Sequence, residues 1–394
     1  MLTLKERNKK AIERALLNQE GVKELRESLK RRFGIDPLVD TEKFNVMEGN
    51  FSWRKLRNQL MENTKLSEAD AASSFVQFLR AGIQQITNGM YQATEVTYTD
   101  WATVIGSKLA TELYAPNHGV AFPRQVGPGE KYPEVGAAAL DLQLQNLKFG
   151  SIYALQKELL DDDQTGTFAQ QAGMMGEYLA ILTEVLCYGK LASVAGMKYI
   201  DYEIPVSETK PSYETNYPWS TALRGGGRTR PDAYGLLTQA NVQNAIIGLS
   251  AQKNLQGIKM LVQAKRLLIG KTLEFDASVL MNSAYYPSGA AAAGNVGGAF
   301  AVNPLKGIMD ITASRFMFKN DGTVNGDSKA WYVVDDSKPF FIVQLRQPVS
   351  VEQEAVNSGA SFEKDVYRFK GSCRMNADFI DPRFAWQGNN GSVV

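Results

Sequence analysis

Val366-Tyr367-Arg368-Phe369-Lys370-Gly371-Ser372-Cys373-Arg374-Met375-Asn376-Ala377-Asp378 alternates without a break. Tyr367, Phe369, Cys373, Met375 and Ala377 share one side with Gly371; Arg368, Lys370, Ser372, Arg374, Asn376 and Asp378 share the other. Period two with one apolar side predicts a half-buried strand. At about 3.3 Å per residue it spans roughly 40 Å, several times the reach of an ordinary strand. Upstream lie two more β-rich runs, Ala330-Trp331-Tyr332-Val333-Val334-Asp335-Asp336 and Lys338-Pro339-Phe340-Phe341-Ile342-Val343-Gln344. Downstream the chain runs Asp381-Pro382-Arg383-Phe384-Ala385-Trp386. From Ala330 onward the sequence reads as one long β-structure.

Composition bounds the rest. A chain of 394 residues, 44% hydrophobic and 22% charged, suits a globular protein with a sizeable core and more than one domain. No run of eighteen apolar residues occurs, so no membrane span is expected. Met1 to Lys10 is charged and lacks an apolar core, which argues against a signal peptide. Asn50-Phe51-Ser52 and Asn390-Gly391-Ser392 match the glycosylation pattern, which is without meaning in an unsecreted chain. Cys187 and Cys373, the two cysteines, sit in an apolar helix and on an apolar strand side. Two buried thiols in a reducing compartment account for them better than a disulfide. Net charge is +1, but residues 1–33 hold ten Lys/Arg against five Glu, so a basic arm (+5) precedes a slightly acidic body (−4). Such asymmetry suggests that one end meets something anionic.

Residues 1–33 read as a helix, with Leu4, Ile12, Ala15, Leu16, Val22, Leu25, Leu29 and Phe33 at spacings near three and four, ended by Gly34 and Pro37. A second helical zone is expected from Trp53 to Ile86, and a short helix after Trp101 that ends before Pro116. Residues 118–160 read as a long hairpin. Pro123 to Val126 forms its first arm, Gly127-Pro128-Gly129 its turn, and Leu140, Leu142 and Leu144 line the return. The phase slips before Leu147 and Phe149, as a β-bulge near Gln145-Asn146 would cause. Asp161-Asp162-Asp163 then caps a helix from Thr165 to Leu191, striped by Phe168, Ala172, Met175, Leu179, Leu182 and Leu186. Gly173 and Gly176 inside it imply close packing against a neighbour. Residues 193–235 show no periodicity and include Arg224-Gly225-Gly226-Gly227-Arg228-Thr229-Arg230. An α/β unit follows: a helix capped by Thr238, strands over Lys259–Gln263 and Leu267–Gly270, a helix over Leu273–Ser283, a small-residue loop over Ala284–Val302, and a strand over Ile308–Phe318. Two long loops and a protruding hairpin point to an assembly.

The inventory excludes most enzyme classes. His118 is the one histidine, which rules out a two-histidine metal centre and leaves a lone general base without an orienting partner. Gly270-Lys271-Thr272 resembles the end of a phosphate loop, but Lys265 stands where the required glycine would be. The Asp161–Asp163 triplet is better explained as a helix cap than as a cation site. Arg224 to Arg230 is better explained as a loop resting on a partner subunit than as a phosphate or RNA cradle. No catalytic residue, metal or cofactor is expected.

Several segments together resemble the tailed-bacteriophage major capsid proteins of the Hong Kong 97-like capsid fold. Glu158-Leu159-Leu160-Asp161-Asp162 is similar to that family's passage from extended loop into spine helix. Leu267-Leu268-Ile269-Gly270-Lys271-Thr272-Leu273, with Ala277, Leu280 and Ser283, is similar to its axial strand–helix unit. Asn303-Pro304-Leu305-Lys306-Gly307, then Ile311 to Phe318 and the Trp331-Tyr332 strand, resembles the return to its peripheral domain. The resemblance covers about residues 118–386 and implies an α+β fold. In it, 1–117 is an N-terminal helical arm or scaffold-like region and 118–160 an extended hairpin loop. Residues 161–235 and 340–394 form a peripheral domain with the spine helix, and 236–339 an axial domain. It further implies a virion shell of hexamers and pentamers around double-stranded DNA, assembled in the host bacterial cytoplasm without a membrane. Portal and scaffold or decoration proteins are the expected partners, and DNA is contacted non-specifically. Arg124, Glu130, Lys131, Arg224, Arg228 and Arg230 are the candidate intersubunit contacts. An encapsulin-like compartment shares the fold, and a phage tail or decoration protein shares the setting. An enzyme of another kind is the remaining class.

Overall fold

The computed structural model describes residues 82–114, 125–126, 131, 142–156, 167–192, 198–200, 202–204, 236–253, 258–287, 300–318, 329–354, 364 and 366–389. The expected helix at 1–33, His118, the Pro123–Arg124 end of the hairpin's first arm, its Gly127–Gly129 turn, the Asp161–Asp163 cap and the Arg224–Arg230 loop lie outside them.

Two four-stranded sheets organise the described residues. The first runs β1 (Thr103–Gly106), β12 (Phe341–Gln353), β13 (Val366–Phe379), β4 (Leu147–Gln156), with β1 parallel to β12 and the other pairs antiparallel. The second runs β10 (Asp310–Ser314), β7 (Arg266–Gly270), β11 (Trp331–Val334), β14 (Ala385–Asn389), with only the β10–β7 pair parallel. Smaller pairs join β2 (Thr111–Tyr114) to β3 (Leu142–Gln145), β5 (Lys198–Tyr199) to β6 (Tyr202–Glu203), and β8 (Tyr285–Pro287) to β9 (Phe300–Val302).

β13 follows its alternation, with a qualification. Tyr367 and Phe369 are buried while Arg368 and Lys370 are half-exposed, as period two requires. From Gly371 onward the second side is largely covered too: Ser372, Asn376 and Asp378 are buried, and Arg374 is half-buried. The strand is half-buried over its first part and sandwiched over its second. Gly371 fits this layout, because a Cβ there would stand 2.5 Å from Met175 Sδ.

Met175 comes from α1 (Thr167–Ala192), the long helix that packs across β13. On the expected stripe, Ala172, Met175, Leu179 and Leu186 are buried and Leu182 is half-buried. Beyond Thr183 every residue is buried, so the C-terminal half is a core helix rather than an amphipathic one. Residues 82–93 form a helix against its N-terminal half. A Cβ on Gly176 would lie 2.1 Å from the Thr87 carbonyl oxygen, and Thr87 Oγ1 donates to Ala172 O at 3.1 Å. The glycines therefore mark a close helix–helix approach, as expected.

Other expectations need correction. No helix follows Trp101: a 3-10 turn over Tyr98–Asp100 leads into β1 and β2, whose short runs carry β-branched residues suited to strands. Lys259–Gln263 forms only an isolated bridge between Lys253 and Lys259. β3 pairs with β2, upstream of residue 118, and β4 pairs with β13, so the return of the expected hairpin is built into the chain's own sheets. β14 joins the second sheet beside β11, which removes residues 385–389 from the unit containing β12 and β13. Thr238 does cap its helix, α2 (Gln239–Ser250), accepting from the Asn241 N–H at 3.3 Å.

One buried carboxylate ties the parts together. Glu184 of α1 accepts from the Thr97 and Tyr98 amides at 2.8 and 3.1 Å, from Thr97 Oγ1, and from Ser314 Oγ at the end of β10 at 3.2 Å. Burial pushes its pKa up, partly offset by these donors. The sign follows by linkage. A carboxyl whose folded pKa is raised contributes stability below its unfolded value, near 4.5. That contribution is lost as pH rises through the folded value. Glu184→Gln is therefore expected to gain stability relative to the parent as pH rises from about 4.5 toward neutrality. Urea unfolding at a series of pH values checks this; a pH-independent difference between the two proteins would contradict it.

Candidate assembly surfaces

The chain changes sheets at Asn146, between β3 and β4, and a polar cluster fixes that point. Asn146 donates from its backbone N–H to Ala110 O and from Nδ2 to Ser107 Oγ and Leu109 O, each at 2.9 Å. Glu112 Oε1 accepts from Ser107 Oγ and the Lys108 and Leu109 amides at 2.9–3.0 Å. These contacts, the Leu109 amide foremost, hold its carboxyl below the usual range. From β12, the buried Gln344 donates to Ser107 Oγ and accepts from Tyr114 Oη at 3.0 Å; from β13, Asn376 Nδ2 donates to Gln145 O at 2.7 Å. The β2–β3 arm is thus welded at its root to the first sheet. The phase slip near Gln145-Asn146 was its one sequence signal, and it marks a change of strand partner rather than the expected β-bulge. Glu112, Gln344 and Asn376 were not legible as root residues.

At the root and along the arm apolar side chains are exposed: Leu109 is 61% and Leu113 65% exposed. At the far end of β12, β13 and β4, an open cleft of about 230 Å³ is lined by Ile152 and Phe369 among charged residues. Lys370 pairs there with Glu352, and Arg368 with Glu354 at 3.8 Å. Half-exposed pairs of this kind contribute little to folding, about 0–1 kcal/mol, and serve better to select a partner.

Of the candidate contact residues, Lys131 lies among the described residues and is exposed; Arg124, Glu130, Arg224, Arg228 and Arg230 lie outside them. Cys187 and Cys373 are free and buried. Burial pushes the Cys373 thiol up to about 12 and that of Cys187 well above its ordinary value, so neither is poised as a nucleophile. Among the described residues no cluster of three or more His, Cys, Asp or Glu could hold a metal, and no helix is long and apolar enough to cross a membrane.

The chain matches the family model described as "Phage capsid protein" over residues 142–387, more than half its length. No curated protein matches it. Among solved structures it is similar to a virus-like particle from Pyrococcus furiosus, with 12% identity, a TM-score of 0.44, and coverage of 78% of this chain and 98% of that one. It is likewise similar to the capsid of an empty GTA particle, at 12% identity and TM-score 0.44 over 74% and 88% of the two chains. The procapsid of bacteriophage JBD30 matches at 16% identity and TM-score 0.40 over 82% and 75%. The matched family region takes in the second sheet to all but the last two residues of β14, the first sheet apart from β1, and the long helix. This chain belongs to the phage capsid proteins, the structural subunits from which a virion's shell is built.

Proposed function

We propose that this subunit adopts the Hong Kong 97-like arrangement, forms hexamers and pentamers, and closes them into an icosahedral shell around double-stranded DNA. The observation that carries the reading is the family match spanning a long core helix that packs on one sheet and reaches under a second. In this reading the first sheet and α1 form the peripheral domain, the second sheet forms the axial domain, and the segment around 118–141 is the extended loop. Arg124, Glu130 and Lys131 at its tip, with Arg224, Arg228 and Arg230, contact adjacent subunits. The +5 charge of residues 1–33 suits an interior arm facing DNA, through phosphate contacts that are sequence-independent and weaken as salt rises. Portal and scaffold or decoration proteins complete the particle, which assembles in the host bacterial cytoplasm.

The test is electron microscopy and light scattering of the purified full chain, alone and with the phage's other head proteins. Rings or closed shells are expected. A strictly monomeric protein in both settings would overturn the proposal.

A further inference from the structure

Two exposed apolar faces lie at opposite edges of the second sheet. At the β10 edge, α3 (Glu274–Asn282) buries Ala277, Leu280 and Met281 and turns Phe275 and Val279 outward, one helical turn apart and 80% and 60% exposed. The helix is held firmly. Asn303 is buried and donates from Nδ2 to the Leu280 and Ser283 carbonyls at 2.7 and 3.1 Å, satisfying groups that a helix end leaves open. At the β14 edge, α2 exposes Ile247 (63%). The Met260 amide donates to Gln252 O at 2.8 Å, which sets Leu261, 92% exposed, beside the C-terminal end of α2.

Their charges are opposite. α3 carries Glu274, paired with Lys271 at 2.6 Å, and Asp276, whereas residues 236–261 carry Lys253 and Lys259 and no acidic residue. Asp276 and Lys259 are both exposed. One apolar face beside the Asp276 carboxylate and another beside the Lys259 ammonium group, on opposite edges of one sheet, are complementary to each other and not to themselves. Self-complementary patches give two-fold pairs; two different complementary patches give head-to-tail contacts, which close into rings when the rotation between copies closes.

We infer that the Phe275–Val279 face of one copy docks on the Ile247–Leu261 face of the next, forming the ring contact within a capsomer. The occupant is a second copy of this chain, so the inference rests on the shell-forming reading above. Opposite charge at the rim sets register and rejects the reversed pairing.

Cross-linking tests it cleanly, because both native cysteines are buried and a new surface thiol reacts alone. Phe275→Cys, Leu261→Cys and the double variant are prepared as full chains, assembled, checked for particles by electron microscopy, and treated with a short bis-maleimide. Each single variant is expected to remain an uncross-linked band. Mixed particles of the two are expected to yield a covalent dimer and nothing longer, and the double variant a ladder of oligomers. A double variant that forms normal particles but no ladder overturns this contact and leaves the proposed function standing. Phe275→Cys that cross-links to itself overturns it in favour of a two-fold pairing. If no particles form from these chains or their parent, the proposed function and this inference fall together.

Discussion

Gly176→Ala is expected to lower the stability of the unassembled subunit by about 3 kcal/mol or more, while Gly173→Ala, one turn earlier, stays within about 1 kcal/mol of the parent. The contrast rests on what each new methyl would meet. At Gly176 it would stand 2.1 Å from the Thr87 carbonyl oxygen, a backbone atom that moves only if the whole 82–93 helix is displaced. Such a displacement also breaks the Thr87–Ala172 hydrogen bond and opens the packing of Ile83 against Met175 and Phe369. At Gly173 the nearest atom is Met90 Cγ at 3.0 Å, part of a flexible side chain that can yield, and alanine's helix preference offsets the remaining crowding. Urea midpoints with unchanged slopes check both values. Equal effects at the two positions would show that the helix–helix approach is not the constraint.

Asp378→Ala is expected to cost about 3–5 kcal/mol. Asp378 and Lys190 form an ion pair at 3.6 Å with side chains 0% and 3% exposed, linking the sandwiched half of β13 to the core half of α1. Removing one partner strands the other charge away from water, and here it also removes the acceptor of the Phe379 N–H, bonded at 2.7 Å. The double variant Lys190→Met/Asp378→Leu removes both charges and fills the space with apolar atoms. It is expected to be more stable than Asp378→Ala alone, although it carries one more substitution. A double-mutant cycle measured by urea unfolding gives the coupling. Additive effects of the two single changes would mean that the pair makes no energetic link between strand and helix.

Local periodicity made some of this fold legible and left the rest out of reach, for definite reasons. The alternation of β13 identified which residues share a side, and the spacing in α1 identified a buried stripe with glycines at a close approach. Alternation carries no information on how many sides are covered. Ser372, Asn376 and Asp378 looked solvent-facing, yet they are buried with partners contributed by β12, β3 and α1. Strand partners were equally hidden: β3 pairs with β2 some thirty residues upstream, and β14 pairs with β11 in a sheet assigned to other residues. The polar root of the arm escaped because Glu112, Asn146, Gln344 and Asn376 converge only after those pairings exist. Phe275 and Val279 escaped for the opposite reason. Apolar residues on both faces of a short helix blur its period, and only the fold shows which face is left outside.

The pairing of β14 with β11 bears on how the subunit is made by the ribosome. β12 and β13, which hold the first sheet together, come late in the chain, and the second sheet gains its β14 edge strand only after residue 389 has been synthesised. An unfinished chain therefore has neither sheet complete, and α1 emerges with half its surface uncovered. Contacts so distant in sequence form slowly and after much of the chain is present. Completion of both sheets is expected to wait until residue 389 has emerged. Chains that stop short of residue 389 would then lack the completed sheet edges that another copy could recognise, so synthesis of β14 would act as the entry requirement for assembly.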